Sequence, residues 1–202
     1  ENWSIDTYNL NTKRALVEQG GSIEWVGGNL GSGVTMLYPC SILKWDYSKA
    51  LHFGIAFANA GQNTDTGAKV IHIGKYTSSE VVSKSLSKNG WISVYRWLLD
   101  VKKSAIGAVA KIDCDGLILD PMSRSDTIPD IRVATDDALV AHEASVGKIN
   151  EDILFYLQSR GIPESEAKTM IVRGFVSPLM KELPLEYAAE MNVLIGMEME
   201  GM

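Results

Sequence analysis

The sequence has little cysteine, and this scarcity excludes several kinds of protein. Its 202 residues contain 2 cysteines, Cys40 and Cys114. Two thiols cannot form the framework of a disulfide-stapled secreted domain. They also cannot supply the four thiolates of a stable iron–sulfur cluster or of a four-cysteine zinc site within one chain. Any chemistry that depends on a thiol must therefore use each cysteine singly.

Long apolar runs and an excess of positive charge are also lacking. There is no run of apolar residues long enough to span a bilayer, and no basic segment precedes an apolar stretch as in a signal peptide. The formal net charge is −6, whereas nonspecific binding to nucleic acids or anionic membranes requires a basic face. We therefore expect a cytoplasmic protein that binds neither membranes nor nucleic acids.

The distribution of charge and of local patterns predicts two regions. Residues 1–148 carry 15 basic and 16 acidic side chains, and residues 149–202 carry 4 and 9. Residues 1–149 are therefore expected to form one domain and residues 150–202 an acidic second one. Because the chain opens at Glu1 without an initiator methionine, we expect it to be a fragment of a longer protein.

The first region has the pattern of short strands. Segments rich in β-branched residues alternate with clusters of glycine, asparagine, aspartate and serine. No segment between them is long enough for a crossover helix, which argues against a parallel α/β sheet and leaves a sandwich, a barrel or a solenoid. The segments that carry this pattern are 22–26, 34–38, 51–58, 69–73, 80–86, 91–98, 108–119, 131–134 and 139–146.

The second region has the pattern of helices. Residues 151–160 are followed by Gly161, a residue typical of helix ends, and Pro163 then predicts a second helix to about Phe175. Pro184 is expected to open a third helix. Its predicted apolar stripe consists of Leu185, Ala188, Ala189, Val193, Leu194 and Met197.

Cys114 is the cysteine with the more informative surroundings. Strand alternation places it on the same face as Ile112 and Ile118, with Asp113 and Asp115 on the opposite face. Two acidic neighbours and an apolar setting raise the pKa of a thiol. From these residues alone, a buried structural cysteine is the simpler interpretation, and a chemical role requires a cation, a histidine or a metal nearby.

His142 and Glu143 are the candidate partners of Cys114. Adjacent residues of a strand point to opposite faces, so an intact strand presents only one of the two toward Cys114. The separation from Cys114 to His142 is 28 residues. If the domain is a solenoid with coils of roughly that length, a thiolate and an imidazole or carboxylate become neighbours on adjacent coils. Such a set of donors suits iron or zinc.

The remaining chemical side chains give weaker signals. Cys40 is assigned no role, and His52 and His72 are expected to be ordinary strand residues. The acidic stretch from Asp120 to Asp130 is expected to form a solvated loop, because its spacing does not match a calcium-binding loop.

Several segments resemble the SufB branch of the SufB/SufD family, and the resemblance covers essentially the whole chain in order. They are Asp-Thr-Gly-Ala-Lys at 65–69, Ile-His-Ile-Gly-Lys at 71–75, Val-Ser-Lys-Ser at 82–85, Cys-Asp at 114–115, Ser-Arg-Ser-Asp-Thr at 123–127, His-Glu-Ala at 142–144, Phe-Tyr-Leu-Gln-Ser-Arg-Gly at 155–161, Ile-Val-Arg-Gly-Phe-Val at 171–176, Lys-Glu-Leu-Pro-Leu-Glu-Tyr at 181–187 and Met-Glu-Gly at 199–201.

The resemblance implies a scaffold for iron–sulfur cluster assembly rather than an enzyme. The implied fold is mainly β, a right-handed parallel β-helix followed by a small C-terminal α-helical domain, with the family's N-terminal region and part of its β-helix preceding Glu1. The cysteine of the family's Cys-Asp segment falls on Cys114, which accepts sulfur. The glutamate of its His-Glu-Ala segment falls on Glu143, with His142 beside it. In the family the cysteine and the carboxylate help to hold iron, so Glu143 and His142 are the candidate iron ligands, and the resemblance leaves open which of the two binds it. The implied cofactor is a transient cluster of iron and sulfide.

The resemblance also implies partners. A SufC-like ATPase docks on residues 150–202, and the nucleotide belongs to that ATPase, since the sequence has no Gly-x-x-x-x-Gly-Lys-[Ser/Thr] motif. A SufD-like subunit or a second copy of the chain pairs through the β-helix, and a donor protein supplies sulfur. Movement of the docked ATPases is expected to open the face that carries Cys114.

Two other functions compete with this interpretation. One is a carbohydrate-active β-helix enzyme that uses paired carboxylates such as Asp126 and Asp130. The other is a non-catalytic interaction module for an ATPase.

Overall fold

A computed structural model describes residues 2–200 as thirteen strands followed by three helices. The strands are β1 (Asn2–Trp3), β2 (Tyr8–Asn11), β3 (Arg14–Val17), β4 (Ser22–Gly31), β5 (Val34–Leu37), β6 (Cys40–Leu43), β7 (Lys49–Ala58), β8 (Asn63–His72), β9 (Ser78–Ser87), β10 (Ile92–Val101), β11 (Val109–Ile118), β12 (Arg124–Val133) and β13 (Leu139–Lys148). The helices are α1 (Glu151–Ser159), α2 (Glu164–Met180) and α3 (Leu185–Met199).

The strands form two parallel sheets that face each other as a solenoid. The first sheet has the order β1-β4-β7-β9-β11-β13. The second has the order β12-β10-β8-β5-β2, with β6 also paired to β8 and β3 to β6. The chain alternates between the two sheets, so each coil returns to the first sheet by way of the second. Parallel pairing therefore arises here without crossover helices, and of the three architectures left open the solenoid is the one formed.

The coils have a nearly constant length. In the first sheet Lys49 pairs with Ser78, Ser78 with Val109, and Val109 with Leu139. These steps are 29, 31 and 30 residues. The chain turns at recurring residues with positive φ, among them Gly61 at 81° and Gly90 at 78°. Glycine adopts this conformation without the strain that a side chain would add.

Two apolar clusters hold the molecule together. The first fills the inside of the solenoid and includes Val81, Tyr95, Trp97, Ile112 and Cys114. The second lies between the outer face of the first sheet and the helices. It consists of Leu30, Ile55, Phe57, Leu86, Leu117, Leu119, Val172, Val176, Leu179, Ile195 and Met199. The helices are therefore packed onto the solenoid rather than attached as a free appendage.

A buried lysine attaches the end of α3 to the solenoid. Lys88 is 2% exposed, and its ammonium donates to the backbone oxygen of Glu198 at 2.6 Å. Asn59 donates to the carboxylate of Glu198 at 2.7 Å. A cation near the C-terminal end of a helix is stabilised by the partial negative charge of the last carbonyl groups.

The predicted helices are present, but two details of the prediction were wrong. The second helix continues to Met180, with Pro178 inside it, instead of ending near Phe175. The apolar stripe of α3 was misassigned, because Leu185, Val193 and Met197 are 82%, 61% and 60% exposed. Ile195 and Met199 are the buried residues of that helix.

Three predicted loops or boundaries in the first region were also wrong. Most of the acidic stretch from Asp120 to Asp130 is not a loop, because β12 begins at Arg124. β8 begins at Asn63, within a segment that its polar residues mark as a loop. β6 is a separate strand that begins at Cys40. In each case pairing with neighbouring coils outweighs the local turn composition.

Within residues 2–200, no helix combines the length and the apolar character needed to cross a membrane.

Candidate functional site

Cys114 lies inside the solenoid, in a column of side chains contributed by successive coils. Its partner in β9 is Ser83, and its partner in β13 is Ala144. On the N-terminal side the column continues from Ser83 to Gly54 and then to Gly27. Cys114 is 2% exposed, and it packs in the inner apolar cluster. The sequence prediction that this residue is covered is confirmed.

The surroundings of Cys114 favour the neutral thiol. The pKa of the thiol is raised to about 11, chiefly by burial and also by the charges of Asp115 and Asp113. A hydrogen bond from Ser83 acts in the opposite direction, because a hydroxyl donor stabilises the thiolate. At neutral pH the thiol is therefore protonated unless a bound cation or a reaction partner removes the proton.

Glu143 is not the neighbour of Cys114 on the next coil. Its register partner is Asp113, and both residues belong to the outer face of the sheet. The coil is two residues longer than the 28-residue spacing that would stack His142 on Cys114, so Ala144 occupies that position instead. The backbone of β13 separates the side of the sheet that carries Glu143 from the interior.

His142 does share the inner face with Cys114. It pairs with Ile112 and is therefore diagonal to Cys114, at roughly 8 Å between Cα atoms from ordinary strand spacings. Its ring packs against Trp97, with centroids 4.8 Å apart and planes at 63°. His142 is exposed because, among residues 2–200, no further coil covers β13. Of the two candidate partners, His142 is the one directed to the side of Cys114.

One chain does not assemble a complete metal site in the part that is described. Among residues 2–200, no three or more histidine, cysteine, aspartate or glutamate side chains converge on one point. Within these residues Cys114, His142 and Glu143 do not converge on one point, and their role as ligands stays a prediction. Cys114 and His142 could contribute two donors from the interior, and the other ligands would have to come from elsewhere.

An interior cavity adjoins the column of Cys114. It holds about 80 Å³ of space open to water-sized molecules, and its wall includes Gly27, Gly54, Thr66, His52 and Tyr95. A Cβ atom built on Gly27 or on Gly54 meets nothing within 4 Å. The cavity therefore lies where the column has no side chains, at Gly27 and Gly54, and its lining includes neither Ser83 nor Cys114.

His52 places an unpaired nitrogen at the wall of this cavity. The hydroxyl of Ser41 receives a hydrogen bond from Trp25 at 3.0 Å and lies 2.9 Å from Nε2 of His52. Nδ1 of His52 has no partner, although the residue is 3% exposed. Burial lowers the pKa of His52 to about 4, so the ring is neutral at physiological pH.

Cys40 and His72 have structural surroundings. Cys40 is 8% exposed in the outer column between Arg14 and Lys69. Burial raises the pKa of its thiol, while the two cations lower it. The ring nitrogens of His72 both lie 2.8 Å from hydroxyl groups, those of Thr77 and Ser79. His72 is thus a hydrogen-bonded core residue, as expected.

The carboxylates proposed for a carbohydrate-active enzyme do not face each other across a site. Asp126 pairs with Arg124 at 2.6 Å, and Asp130 pairs with Arg132 at 2.6 Å. The two aspartates are four residues apart on one strand, roughly 13 Å between Cα atoms. Glycosidase carboxylates lie about 5 to 9.5 Å apart. The geometry therefore gives the carbohydrate hypothesis no support.

The C-terminal end of the solenoid is open. β12 and β13 each pair with one strand and leave a free edge among the described residues. Apolar side chains of these strands remain exposed there, including Ile131, Val133, Leu139 and Val146. Exposed edges of this length are the kind of surface to which another chain adds.

The two free edges differ in their capacity for hydrogen bonding. The backbone N–H of Arg124 donates to the carbonyl oxygen of Trp91, and that of Ala134 donates to the carbonyl oxygen of Val101. The backbone polar groups of even-numbered residues in β12 therefore face β10. The nitrogen of Pro129 therefore faces the free edge, where it cannot donate. The backbone N–H of Leu139 donates to the carbonyl oxygen of Ala108, so the backbone polar groups of odd-numbered residues in β13 face β11. Those of the even-numbered residues face the free edge, and none of these residues is proline. The β13 edge is thus the uninterrupted one.

Two residues near Cys114 were not identified from the sequence. Ser83 and Tyr95 lie beside it, and Ser83 is in hydrogen-bonding contact with both Cys114 and Tyr95. The recurrence of turn glycines at Gly31, Gly61 and Gly90 could have supplied the coil length. Counting back one coil, about 30 residues, from Cys114 leads to the region of Ser83.

A known family matches this chain. The family model described as SUF system FeS cluster assembly, SufBD core domain, matches residues 1–175. Among curated proteins, an iron–sulfur cluster assembly SufBD family protein of Staphylococcus epidermidis is 53% identical over 201 residues. One of Mycobacterium leprae is 50% identical over 201 residues.

These relatives are much longer than the chain. The alignments cover 100% of this chain but 43% of the Staphylococcus epidermidis protein and 23% of the Mycobacterium leprae protein. A protein of Mycobacterium tuberculosis is 49% identical and is covered to 24%. The chain therefore spans between about a quarter and two fifths of the length of the curated relatives that it matches.

Proposed function

This chain belongs to the SufBD family of iron–sulfur cluster assembly proteins, and from that premise we propose that it is the core of a SufB-like scaffold. In this role it accepts sulfur at Cys114, binds iron next to it and releases the cluster to other proteins. It acts in the reducing cytoplasm, where two free thiols persist.

The observation that carries this proposal is the position of Cys114. The thiol lies in the second-to-last coil, and only the uncovered coil of β13 stands between it and the open end. A single buried thiol with one imidazole nearby is too small a ligand set to keep a cluster. This shortage suits a protein that must release what it assembles.

Iron and sulfur are cargo in this proposal, and the chain's residues have distinct parts. The raised pKa of Cys114 keeps it protonated until iron or incoming sulfur displaces the proton. His142, on the same face and exposed, supplies a nitrogen donor. Glu143 reaches a metal at Cys114 only if the end coil opens, because the backbone of β13 lies between them.

A second protein chain completes the site at the open end. Either a SufD-like subunit or another copy of this chain pairs there. The uninterrupted β13 edge supplies the backbone hydrogen bonds, and the exposed Ile131, Val133 and Val146 supply apolar contact. Such a partner covers His142 and brings its own donors close to the interior.

The helices provide the docking surface for a SufC-like ATPase. Their exposed apolar side chains include Phe155 at 73%, Leu185 at 82% and Tyr187 at 63%. Large apolar groups on helices that are already packed on the solenoid favour a protein partner. Movement of the ATPases reaches the solenoid through the second apolar cluster and through Lys88, and thereby opens the end coil.

Anaerobic reconstitution of the chain together with its pairing partner tests this function. With ferrous iron and sulfide, the wild-type assembly should gain visible absorption from a cluster, and Cys114→Ala should abolish it. Cys40→Ala is the matched control, because Cys40 lies on the outer face, and it should leave the absorption unchanged. Equal absorption in the wild type and Cys114→Ala would contradict the proposal.

A further inference from the structure

A row of polar side chains crosses the outer face of the first sheet near its open end. Lys84 of β9, Asp115 of β11 and Ser145 of β13 are consecutive register partners. The ammonium of Lys84 and the hydroxyl of Ser145 both donate hydrogen bonds to the carboxylate of Asp115. This carboxylate therefore links the last strand, β13, to the two strands that precede it in the sheet.

Partial burial strengthens the contacts in this row. The side chain of Lys84 is 14% exposed and that of Asp115 is 30% exposed, so solvent and salt screen the pair less than they screen a fully exposed pair. Burial by itself raises the pKa of Asp115, but the hydrogen bonds from Lys84 and Ser145 outweigh it and lower the pKa below its ordinary value. The carboxylate is therefore charged at neutral pH, and a charged acceptor forms stronger hydrogen bonds than a neutral one.

The helices cover the same row on the side away from the open end. From Lys84 the row continues to Ile55 of β7 and Gly28 of β4. Met191 of α3 lies against Gly28, where its side chain leaves no room for a Cβ atom. Phe175 of α2 lies against Lys84, with 4.9 Å between the ammonium and the ring centroid. Lys84 is therefore the residue at which the helix-covered part of the row meets the part that leads to β13.

A pair of like charges lies beside this row. Asp113 of β11 and Glu143 of β13 are register partners on the same outer face, and like charges directly opposite each other destabilise strand pairing. Lys111 pairs with Asp113 at 2.5 Å and lies near Glu143, but its side chain is 55% exposed, so solvent weakens the compensation. The pairing of β13 with β11 is thus opposed at one position and held two residues further on, at Asp115 and Ser145.

The other strand at the open end has a different arrangement. In the second sheet, Asp100 of β10 stands opposite Arg132 of β12, which is a pair of opposite charges. Cross-strand pairs of this kind stabilise the pairing of the two strands. Of the two strands at the open end, β13 is therefore the one whose attachment is balanced between attraction and repulsion.

We propose that Lys84, Asp115 and Ser145 form a clamp that holds β13 against β11. Phe175 makes the clamp respond to movement of the helices, because its ring lies on the ammonium that binds the carboxylate. This inference rests on the proposed opening of the end coil and adds the residues that control that opening.

Release of the clamp uncovers the proposed sulfur acceptor. When the ammonium is drawn away from Asp115, an uncompensated negative charge joins those of Asp113 and Glu143 between the same two strands, and β13 separates from β11. Ala144 of β13 is the register partner that covers Cys114 on the side of the open end. Separation of the two strands therefore exposes the thiol and brings the outer face of β13 within reach of it.

Hydrogen exchange of the full chain, without iron or sulfide, tests the clamp through the peptide 139–148. Ser145→Ala and Lys84→Met should each raise exchange in this peptide about tenfold, the factor that corresponds to one hydrogen bond to a charged group. Phe175→Leu keeps the apolar packing but removes the contact between ring and cation, and it should raise exchange about twofold. Glu143→Gln should slow exchange, because it removes the repulsion.

Matched variants on the second sheet separate the clamp from a general disturbance. Arg124→Met and Asp126→Asn break an ion pair within β12 and should leave exchange in β13 unchanged. Sedimentation at the working concentration establishes that all variants have the same oligomeric state. If Ser145→Ala or Lys84→Met instead raised exchange equally in β9, β10 and β13, the residues would only stabilise the fold, and the clamp would be refuted.

The rate of Cys114 alkylation at fixed pH, in a Cys40→Ala background, gives a second readout. Cys114 is 2% exposed, so its reaction depends on opening, and Ser145→Ala should accelerate it about tenfold. If Ser145→Ala and Lys84→Met match the wild type in exchange and in alkylation, the clamp is refuted, while reconstitution still decides the role of Cys114. If these variants open as expected but Cys114→Ala reconstitutes a cluster as well as the wild type, the clamp stands and the proposed function fails.

Discussion

The imidazole of His142 packs edge-on against the indole of Trp97 at the open end of the solenoid, with 4.8 Å between ring centroids. Trp97 is 3% exposed, while His142 is exposed to solvent. The contact holds the imidazole toward the interior, on the side of the sheet that carries Cys114. The neighbouring Glu143 belongs to the opposite side.

Substitution of His142 should impair iron binding more than substitution of Glu143. His142→Ala removes the donor on the inner face and should lower iron retention about tenfold or more, which is the usual scale for perturbing a metal's ligand environment. Glu143→Ala should have a smaller effect. Anaerobic iron titration followed by metal analysis of the paired assembly measures both.

The control for this comparison is His142→Gln, which keeps a polar side chain in contact range of Trp97. A larger loss in Glu143→Ala than in His142→Ala would indicate that the end coil rearranges on pairing and brings the outer carboxylate to the metal.

The free energy of unfolding should fall as the pH drops through the range from 6.5 to 4. Burial lowers the pKa of His52 to about 4, whereas an unfolded histidine titrates near 6.5. Between these pH values the unfolded chain binds a proton at His52 that the folded chain does not. The contribution of neutral His52 to the free energy of unfolding is therefore fully present above pH 6.5 and is lost as the pH falls. At pH 5 the free energy of unfolding has fallen by about 2 kcal/mol on account of His52.

Urea denaturation at pH 7.5 and at pH 5 measures this dependence. His72 also has a pKa lowered to about 4 by burial, so the wild type should lose the contributions of both histidines. His52→Phe should reduce the loss between the two pH values by about 2 kcal/mol. An identical loss in the wild type and in His52→Phe would show that His52 is protonated in the folded state.

A proline on the free edge of β13 should weaken pairing between chains. The N–H of Val146 faces that edge, so Val146→Pro removes an outward donor without removing a bond to β11. The strand before it is extended, as a residue that precedes proline requires. We expect pairing to weaken about tenfold, which corresponds to the loss of about one hydrogen bond.

Analytical ultracentrifugation, with the chain alone and with a SufD-like subunit, measures this effect. Val146→Thr keeps the backbone donor and serves as the control. Undiminished pairing in Val146→Pro would place the partner on another surface, such as the edge of β12.

The sequence predicted which segments are regular better than where some of them begin. The strands around Trp25, Phe53 and Val81 were visible from their composition, because alternating β-branched and aromatic residues suit a half-buried sheet. The end of β12 was predicted as the strand at 131–134, but its first residues, 124–130, were missed because their charged side chains and Pro129 imitate a loop. Those charges form ion pairs on the outer face, and the proline nitrogen points to a free edge.

The stripe of α3 was misjudged for a related reason. The helix is apolar on more than one side, so periodicity alone did not indicate which side is buried. The buried side is determined by packing on the solenoid, because Ile195 and Met199 join the apolar cluster that contains Leu30, Ile55 and Phe57.

The sequence by itself determined the character of Cys114 as a lone, covered thiol between acidic neighbours, because alternation along one strand is a local property. It also determined the division into a β region and an acidic helical region. Only the tertiary structure decided which residues face that thiol. An error of one residue in the assumed coil length assigns every side chain of the neighbouring strand to the wrong face of the sheet. The coil length itself depends on turns whose geometry is fixed by packing between coils. For this reason Ser83, Tyr95 and Ala144 surround Cys114, and Glu143 lies on the far side of the sheet.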